Sequence, residues 1–151
     1  MPLIVEFEQK YAADFKSLNL EWLDKYGLTE PPDLAMLDDP QKEIINTGGC
    51  IYLAKEADEI VGSAALINVG EGNFELAKMA VSPGFQGRGI SKILLEKCLE
   101  QAKTIGAKRI FLESNSQLKT ALLLYEKYGF RHVPIVNSHY HTADVMMELL
   151  L

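Results

Sequence analysis

Positive charge is in short supply in this chain. Lysine and arginine total 15 against 21 aspartates and glutamates, for a formal net charge of -6. A nucleic-acid-binding face needs clustered basic residues, so this balance argues against that class of partner. Cysteine is scarce as well. Cys50 and Cys98 are the only two, and their spacing matches neither a disulfide framework nor a metal site. They read as free, buried thiols of a cytoplasmic protein. No apolar run approaches the roughly 20 residues of a membrane span. The start, Met1-Pro2-Leu3-Ile4-Val5-Glu6, has no basic stretch and no cleavage site, so no signal peptide and no membrane partner are expected. Histidine is limited to three residues. His139-x-His141 lacks a third ligand at a recognisable spacing, so no metal is expected. Repeats, low-complexity tracts and linkers are absent too. The whole chain, residues 1–151, therefore reads as one domain large enough for a sizeable core.

What the chain does have is a glycine-rich turn in the middle, Val81-Ser82-Pro83-Gly84-Phe85-Gln86-Gly87-Arg88-Gly89-Ile90-Ser91. Before it, the apolar run Leu76 to Val81 reads as a strand. After it, Ile90, Ile93, Leu94, Leu95, Cys98, Leu99, Ala102 and Ile105 recur at helical spacing, and Gly106 ends the helix. Small residues at such a turn let a bulky anion reach backbone N–H groups. The helix start adds unsatisfied donors and the positive end of its dipole. The turn is suited to phosphate, with backbone N–H groups from Gln86 through Ser91 as donors. It is not a P-loop, which needs Gly-Lys-Ser/Thr at its end. Nor do Gly84, Gly87 and Gly89 fit the dinucleotide fingerprint.

The flanking chain has a definite order. Leu3 to Phe7 reads as an edge strand. Tyr11 to Tyr26, with Phe15, Leu18, Trp22 and Leu23 on one stripe, reads as an amphipathic helix ended by Gly27. Thr29 to Asp33 reads as a loop. Asp39-Pro40 predicts the cap and first residue of a short second helix running to Thr47. Cys50 to Lys55 and Ile60 to Asn68 form a hairpin, and Phe74 to Val81 adds a third strand. Beyond the glycine turn and its helix, Arg109 to Ser114 is a short strand. This βαβ unit predicts a parallel pair with a right-handed crossover. Leu118 to Tyr128 is helical, and Phe130 to Val136 and Ala143 to Leu149 are strands.

Gln86-x-x-Gly89-x-Ser91 resembles the Arg/Gln-x-x-Gly-x-Gly/Ala signature of the GNAT N-acetyltransferase superfamily. Ser91 stands where glycine or alanine is usual, and is small enough to keep a close approach. Ala121-Leu122-Leu123-Leu124-Tyr125-Glu126-Lys127-Tyr128-Gly129-Phe130 resembles the family's Ala-x-x-Leu-Tyr-x-x-x-Gly-Phe segment, and Asn115 follows the fifth strand as in many members. These motifs cover Phe74 to Phe130; the first half of the chain matches in element order only. The resemblance implies an α/β (α+β) fold: a mixed, mostly antiparallel central sheet, flanked by helices, whose fourth and fifth strands are parallel and splayed. It implies acetyl-CoA as acetyl donor and a primary amine as acceptor. It also implies that the pantetheine arm lies along Met79, Ala80 and Val81, with a bulge near Lys78–Met79 opening the slot.

Acetyl transfer from a thioester to an amine requires a held cofactor, a deprotonated amine, a stabilised oxyanion and a leaving thiol. The phosphate donors are those of Gln86, Gly87, Arg88, Gly89, Ile90 and Ser91. The Arg88 side chain either adds charge at a phosphate or is a solvated turn residue. Tyr125 matches the family's acid tyrosine, although with Leu118, Ala121 and Leu122 it also forms an ordinary core stripe. Asn115 either bonds the pantetheine or caps the next helix. Glu75 lies where several members place a base glutamate and is otherwise an exposed strand residue; Glu113 is the second candidate. His139, Tyr140 and His141 could border the acceptor pocket.

Charge is unevenly spread. Asp24 to Glu59 holds nine acids and three lysines, whereas Lys78 to Arg131 holds ten bases and four acids. Two solvated faces would account for this. So would an anionic cofactor on the second half and a small cationic amine drawn to the first, with Asp38 and Asp39 the expected contributors. The alternatives are acetylation of a protein N-terminus or lysine, and a non-catalytic acyl-CoA-binding module. The C-terminal strands could pair in a homodimer.

Overall fold

The computed structural model describes residues 2–151. Alternation of apolar residues builds seven strands into one sheet: β1 (Leu3–Glu6), β2 (Cys50–Glu56), β3 (Glu59–Gly70), β4 (Asn73–Val81), β5 (Arg109–Ser114), β6 (Arg131–Val133) and β7 (Val145–Leu150), in the order β1-β2-β3-β4-β5-β7-β6. Every adjacent pair is antiparallel except β4 and β5. Four helices flank it: α1 (Ala12–Tyr26), α2 (Pro31–Asp38), α3 (Ile90–Thr104) and α4 (Lys119–Lys127).

Both faces of the sheet are covered, which is why β2 and β3 read as near-continuous apolar runs. On one face Leu66, Leu76, Ile110 and Leu112 pack against Leu94, Leu95 and Cys98 of α3 and Leu122 and Tyr125 of α4. On the other, Ile51, Leu53, Ala65 and Ile67 pack against Phe15 and Leu18 of α1 and Leu37 of α2. Glu75 lies between Phe74 and Leu76 in an alternating strand, so it faces the α1 side.

Two sequence expectations change here. Thr29 to Asp33 is not a loop throughout, because α2 begins at Pro31. Two adjacent prolines read as a breaker, yet the first residues of a helix have no intrahelical partner for their N–H groups and tolerate proline. Asp33 accepts the Glu30 N–H at 3.0 Å and closes the helix start. The helix predicted after Asp39-Pro40 is only one wide π-type turn, Gln41–Ile45, although Asp39 does cap it by accepting the Lys42 N–H at 3.2 Å. The strand expected over Phe130 to Val136 is shorter, ending at Val133.

The feature that positions the site is the parting of β4 from β5. They pair in parallel only from Asn73 to Glu75 with Arg109 to Phe111. Beyond that β4 stays with β3 while β5 pairs with β7 along its length. The edge of β4 facing β5 is therefore unpaired from Leu76 onward. The expected bulge is present: Ala65 pairs with Ala77 and Ser63 with Ala80, leaving Lys78 and Met79 opposite Ala64 alone. Lys78 takes a left-handed conformation, φ 54°, which is unfavourable for a residue with a Cβ. Two interactions hold it. The Ser63 hydroxyl donates to the Lys78 carbonyl at 2.6 Å and itself accepts from Asn19 Nδ2 at 3.0 Å. The Lys78 ammonium pairs with Asp33, both side chains being 4% exposed.

That ion pair ties the bulge to α2. Removing one partner strands the other charge in the interior, which typically costs 3–5 kcal/mol. Lys78→Met is therefore expected to lower stability by roughly 3–5 kcal/mol in urea unfolding. Adding Asp33→Asn, which removes the charge and keeps an acceptor for the Glu30 N–H, should recover most of the loss; a double variant no more stable than the single would show that the pair is not what Lys78 contributes.

Candidate active site

The glycine turn joins β4 to α3 as read. Gly87 and Gly89 sit at φ 77° and 79°, a backbone that favours glycine. The Gln86 side chain donates to the Val81 carbonyl at 3.1 Å and fastens the turn to the end of β4. No side chain caps α3, whose cap residue is Gly89. Its first N–H groups are thus left for an external acceptor. A Cβ built on Gly84, Gly87 or Gly89 meets nothing within 4 Å; the glycines border open space. Ile90 is buried in the core, so its backbone alone faces the turn, and Ser91 opens the helix beside it. Arg88 is exposed, with its guanidinium 4.9 Å from the Phe85 ring and 4.0 Å from Glu56.

A cleft lies between the parted strands. Met79, Leu112, Asn115 and Tyr125 line it, with Glu75 and Glu113 further along and Trp22 and Leu23 of α1 across from them. Ala80 and Val81 bury their side chains on opposite faces, and neither lines the cleft. Tyr125 is both things the sequence allowed. It packs in the core, its ring 5.9 Å from that of Phe130, and it lines the cleft. Its hydroxyl makes no hydrogen bond to any described residue, and burial raises its pKa above the ordinary value, with Cys98 adding to the effect. Asn115 is largely occupied. It accepts the Gln117 N–H at 3.0 Å and donates to the Thr142 carbonyl at 2.7 Å, which shapes the approach to α4 and pins the loop before β7.

Glu75 is not the exposed strand residue that alternation allowed; it is 8% exposed. Burial raises its pKa to about 7, Glu113 and Asp33 push the same way, and Lys78 opposes them. Glu75 and Glu113 also line a second cavity, on the α1 side of the sheet, with Asn73, Phe111 and His139. Tyr140 lines the cleft, its ring 5.7 Å from the Lys78 ammonium; His141 borders neither cavity. The loop carrying these residues is strapped to α2 by the Glu30 carboxylate, which accepts the N–H groups of His141 and Thr142 at 2.7 and 3.1 Å.

The sequence model of the Acetyltransferase (GNAT) family matches residues 14–130, well over half of the chain. The chain belongs to the GNAT acetyltransferase family. It is 32% identical over 116 residues to the uncharacterized N-acetyltransferase YjgM of Escherichia coli K12, covering 72% of this chain and 70% of that protein. It is 31% identical over 112 residues to the uncharacterized protein ML0378 of Mycobacterium leprae, of which the aligned stretch covers 30%. The fold is that of a GNAT-family acetyltransferase from Staphylococcus aureus Mu50, with a TM-score of 0.89, 22% identity and 98% of each chain covered. It also matches the PaiA N-acetyltransferase of Thermoplasma acidophilum crystallised with coenzyme A, with a TM-score of 0.80, 16% identity, and 100% and 99% covered. The GNAT chain is therefore an N-acetyltransferase with acetyl-CoA as its donor.

Its own residues suit that donor. The open glycine turn has no side-chain cap, the edge of β4 before it is unpaired, and the cleft between the parted strands is lined by Tyr125 and Glu75. Three residues of this GNAT site escaped sequence reasoning. Lys78 and Asp33 are 45 positions apart, and Asn19 reaches the bulge only through Ser63. The one local signal was a lysine between Ala77 and Met79 in an otherwise apolar strand.

The acid-rich first half does not act as expected. Asp38 and Asp39 line neither cavity. Asp38 pairs with Lys16 at 2.6 Å, and Asp39 caps its turn. The carboxylates that line the cleft are Asp33, from the acid-rich segment, and Glu75 and Glu113, from the sheet.

Proposed function

We propose that the chain acetylates the amine of a small cationic acceptor, with Glu75 as general base and Tyr125 as general acid. The observation that carries this reading is the buried Glu75 carboxyl, raised to about 7, in the cleft that also holds the Tyr125 hydroxyl. An alkyl ammonium with a pKa of about 10 must lose its proton before it attacks. Passing that proton to an ordinary glutamate costs roughly 8 kcal/mol; passing it to one at about 7 costs roughly 4 kcal/mol. Burial therefore makes Glu75 the better base while leaving it mostly ionised above neutrality.

Bound acetyl-CoA supplies an acetyl thioester whose thiol is the leaving group. Backbone donors from Gln86 through Ser91 hold its phosphates, Met79, Ala80 and Val81 offer main chain along its arm, and Asn115 holds the cleft wall. Glu75 takes a proton from the ammonium; the freed amine then forms the N–C bond, and its surplus proton replaces the one that Tyr125 gives up. Tyr125 gives its proton to the sulfur as the C–S bond breaks. Transfer is direct: neither Cys50 nor Cys98 lines the cleft, and Cys98 is fully buried with its thiol pKa pushed up. The acids at the acceptor end favour a cationic small molecule over an acidic peptide or nucleotide. Two free cysteines suit a cytoplasmic setting, and no helix among the described residues is long and apolar enough to cross a membrane.

A base works only when ionised, so kcat/KM should rise with pH, level off above about 7 and report Glu75. Glu75→Gln keeps the shape and removes the base. It should slow transfer by roughly 10²- to 10⁴-fold at neutral pH and move the rising limb to that of the free amine, at about 10. A variant that retains both the rate and the limb of the parent would remove Glu75 from this role.

A further inference from the structure

Neither Glu75 nor Glu113 forms an ion pair with any described residue, although the Lys78 charge is felt at Glu75. Glu75 is 8% exposed, makes no hydrogen bond to any described residue, and faces both the cleft and the second cavity. One Glu113 oxygen, Oε1, is sealed from solvent and equally without a partner. Buried carboxylates are normally paired or hydrogen-bonded. The cations in reach are engaged elsewhere. Lys78 is paired with Asp33, and Arg109, at the far end of the second cavity, is held by Glu148 at 2.8 Å. His139 lies at the exposed rim. A ligand is the remaining source of positive charge.

One ammonium does not satisfy both carboxylates. The amine that attacks passes its proton to Glu75 and becomes neutral. Glu75 is then neutral too, and the sealed Glu113 Oε1 is still without a partner at the moment of transfer. A second cation on the same molecule corrects this. We infer that the acceptor is an aliphatic diamine or longer polyamine. Glu75 deprotonates the amine that is acetylated, and Glu113 holds a second ammonium group on the far side of it. Glu113 is then the residue that sets specificity. This assignment rests on the reading of Glu75 as the base.

The test compares butanediamine with butylamine, which share a chain length and differ in one charge, by following thiol release from acetyl-CoA. A hydrogen bond to a charged group contributes roughly 1.5–3 kcal/mol, equivalent to about 10- to 100-fold. The parent protein should therefore favour the diamine by about 10- to 100-fold in kcat/KM. Glu113→Gln should bring that ratio close to one, chiefly through KM, in a protein whose circular dichroism and acetyl-CoA affinity match the parent's. Equal use of the two amines by the parent, or a preference that survives in Glu113→Gln, overturns the inference. Glu75→Gln separates the two claims. Loss of rate on both amines with the diamine preference retained supports both. A full rate on both amines overturns the base reading, and the assignment that rests on it.

Discussion

Gly89→Glu is expected to weaken acetyl-CoA binding by roughly 10²- to 10³-fold while the protein stays folded. Gly89 caps α3 at φ 79°, and a Cβ there meets nothing within 4 Å. The substitution therefore disturbs no packing. A side chain in the left-handed region costs about 1–2 kcal/mol, and the new carboxylate is favourably placed at a helix N-terminus, which offsets part of that. For the cofactor the same carboxylate is a competitor. It occupies the space beside the free N–H groups and repels the pyrophosphate, and like-charge contact costs several kcal/mol. Gly89→Asn is the control, because asparagine tolerates the backbone and carries no charge. Calorimetric titration with acetyl-CoA decides the matter. An affinity for Gly89→Glu equal to the parent's, in a folded protein, would mean that the phosphates lie elsewhere.

Tyr125→Phe should slow acetyl transfer by roughly 10²- to 10⁴-fold and leave acetyl-CoA affinity nearly unchanged. Phenylalanine keeps the ring packed against Phe130 and the α3 face of the core, so stability should hold. What is lost is the Tyr125 hydroxyl proton, while Ser114, Tyr140 and Thr142, which also line the cleft, are unchanged. A thiol of pKa about 8.5 can leave as thiolate unaided, so the loss should be smaller with thioesters of more acidic thiols. That dependence distinguishes a lost proton donor from a merely disturbed core, which would slow every thioester alike. Full activity in the variant would return Tyr125 to a packing role.

The parts of this site that lie close together in the chain were legible beforehand. The glycine turn, the helix it caps, the parallel β4–β5 pair and the bulge at Lys78–Met79 all follow from local pattern and from the family resemblance. What escaped was pairing between distant residues. Pro31 and Pro32 hid the start of α2, and with it Asp33, whose partner Lys78 lies on another layer. Counting acids along Asp24 to Glu59 could not show which already had partners. Asp38 is spent on Lys16, Asp39 on its own turn, and Glu30 on the loop before β7. Glu75 read as exposed or catalytic with nothing to choose between them, because its burial comes from α1, α2 and the Tyr140 loop. Asn115 looked like either a cap or a cofactor contact, and its side chain bonds both the start of the next turn and a loop 27 positions away.

The most direct test of the central claim is thiol release from acetyl-CoA by the unaltered protein, measured across a panel of amines and in their absence. Release that depends on an amine, with one acetylated amine formed per thiol and cationic acceptors preferred over acidic ones, is the result predicted here. Tight acetyl-CoA binding with no amine-dependent release would contradict it and leave an acyl-CoA-binding module in place of an enzyme.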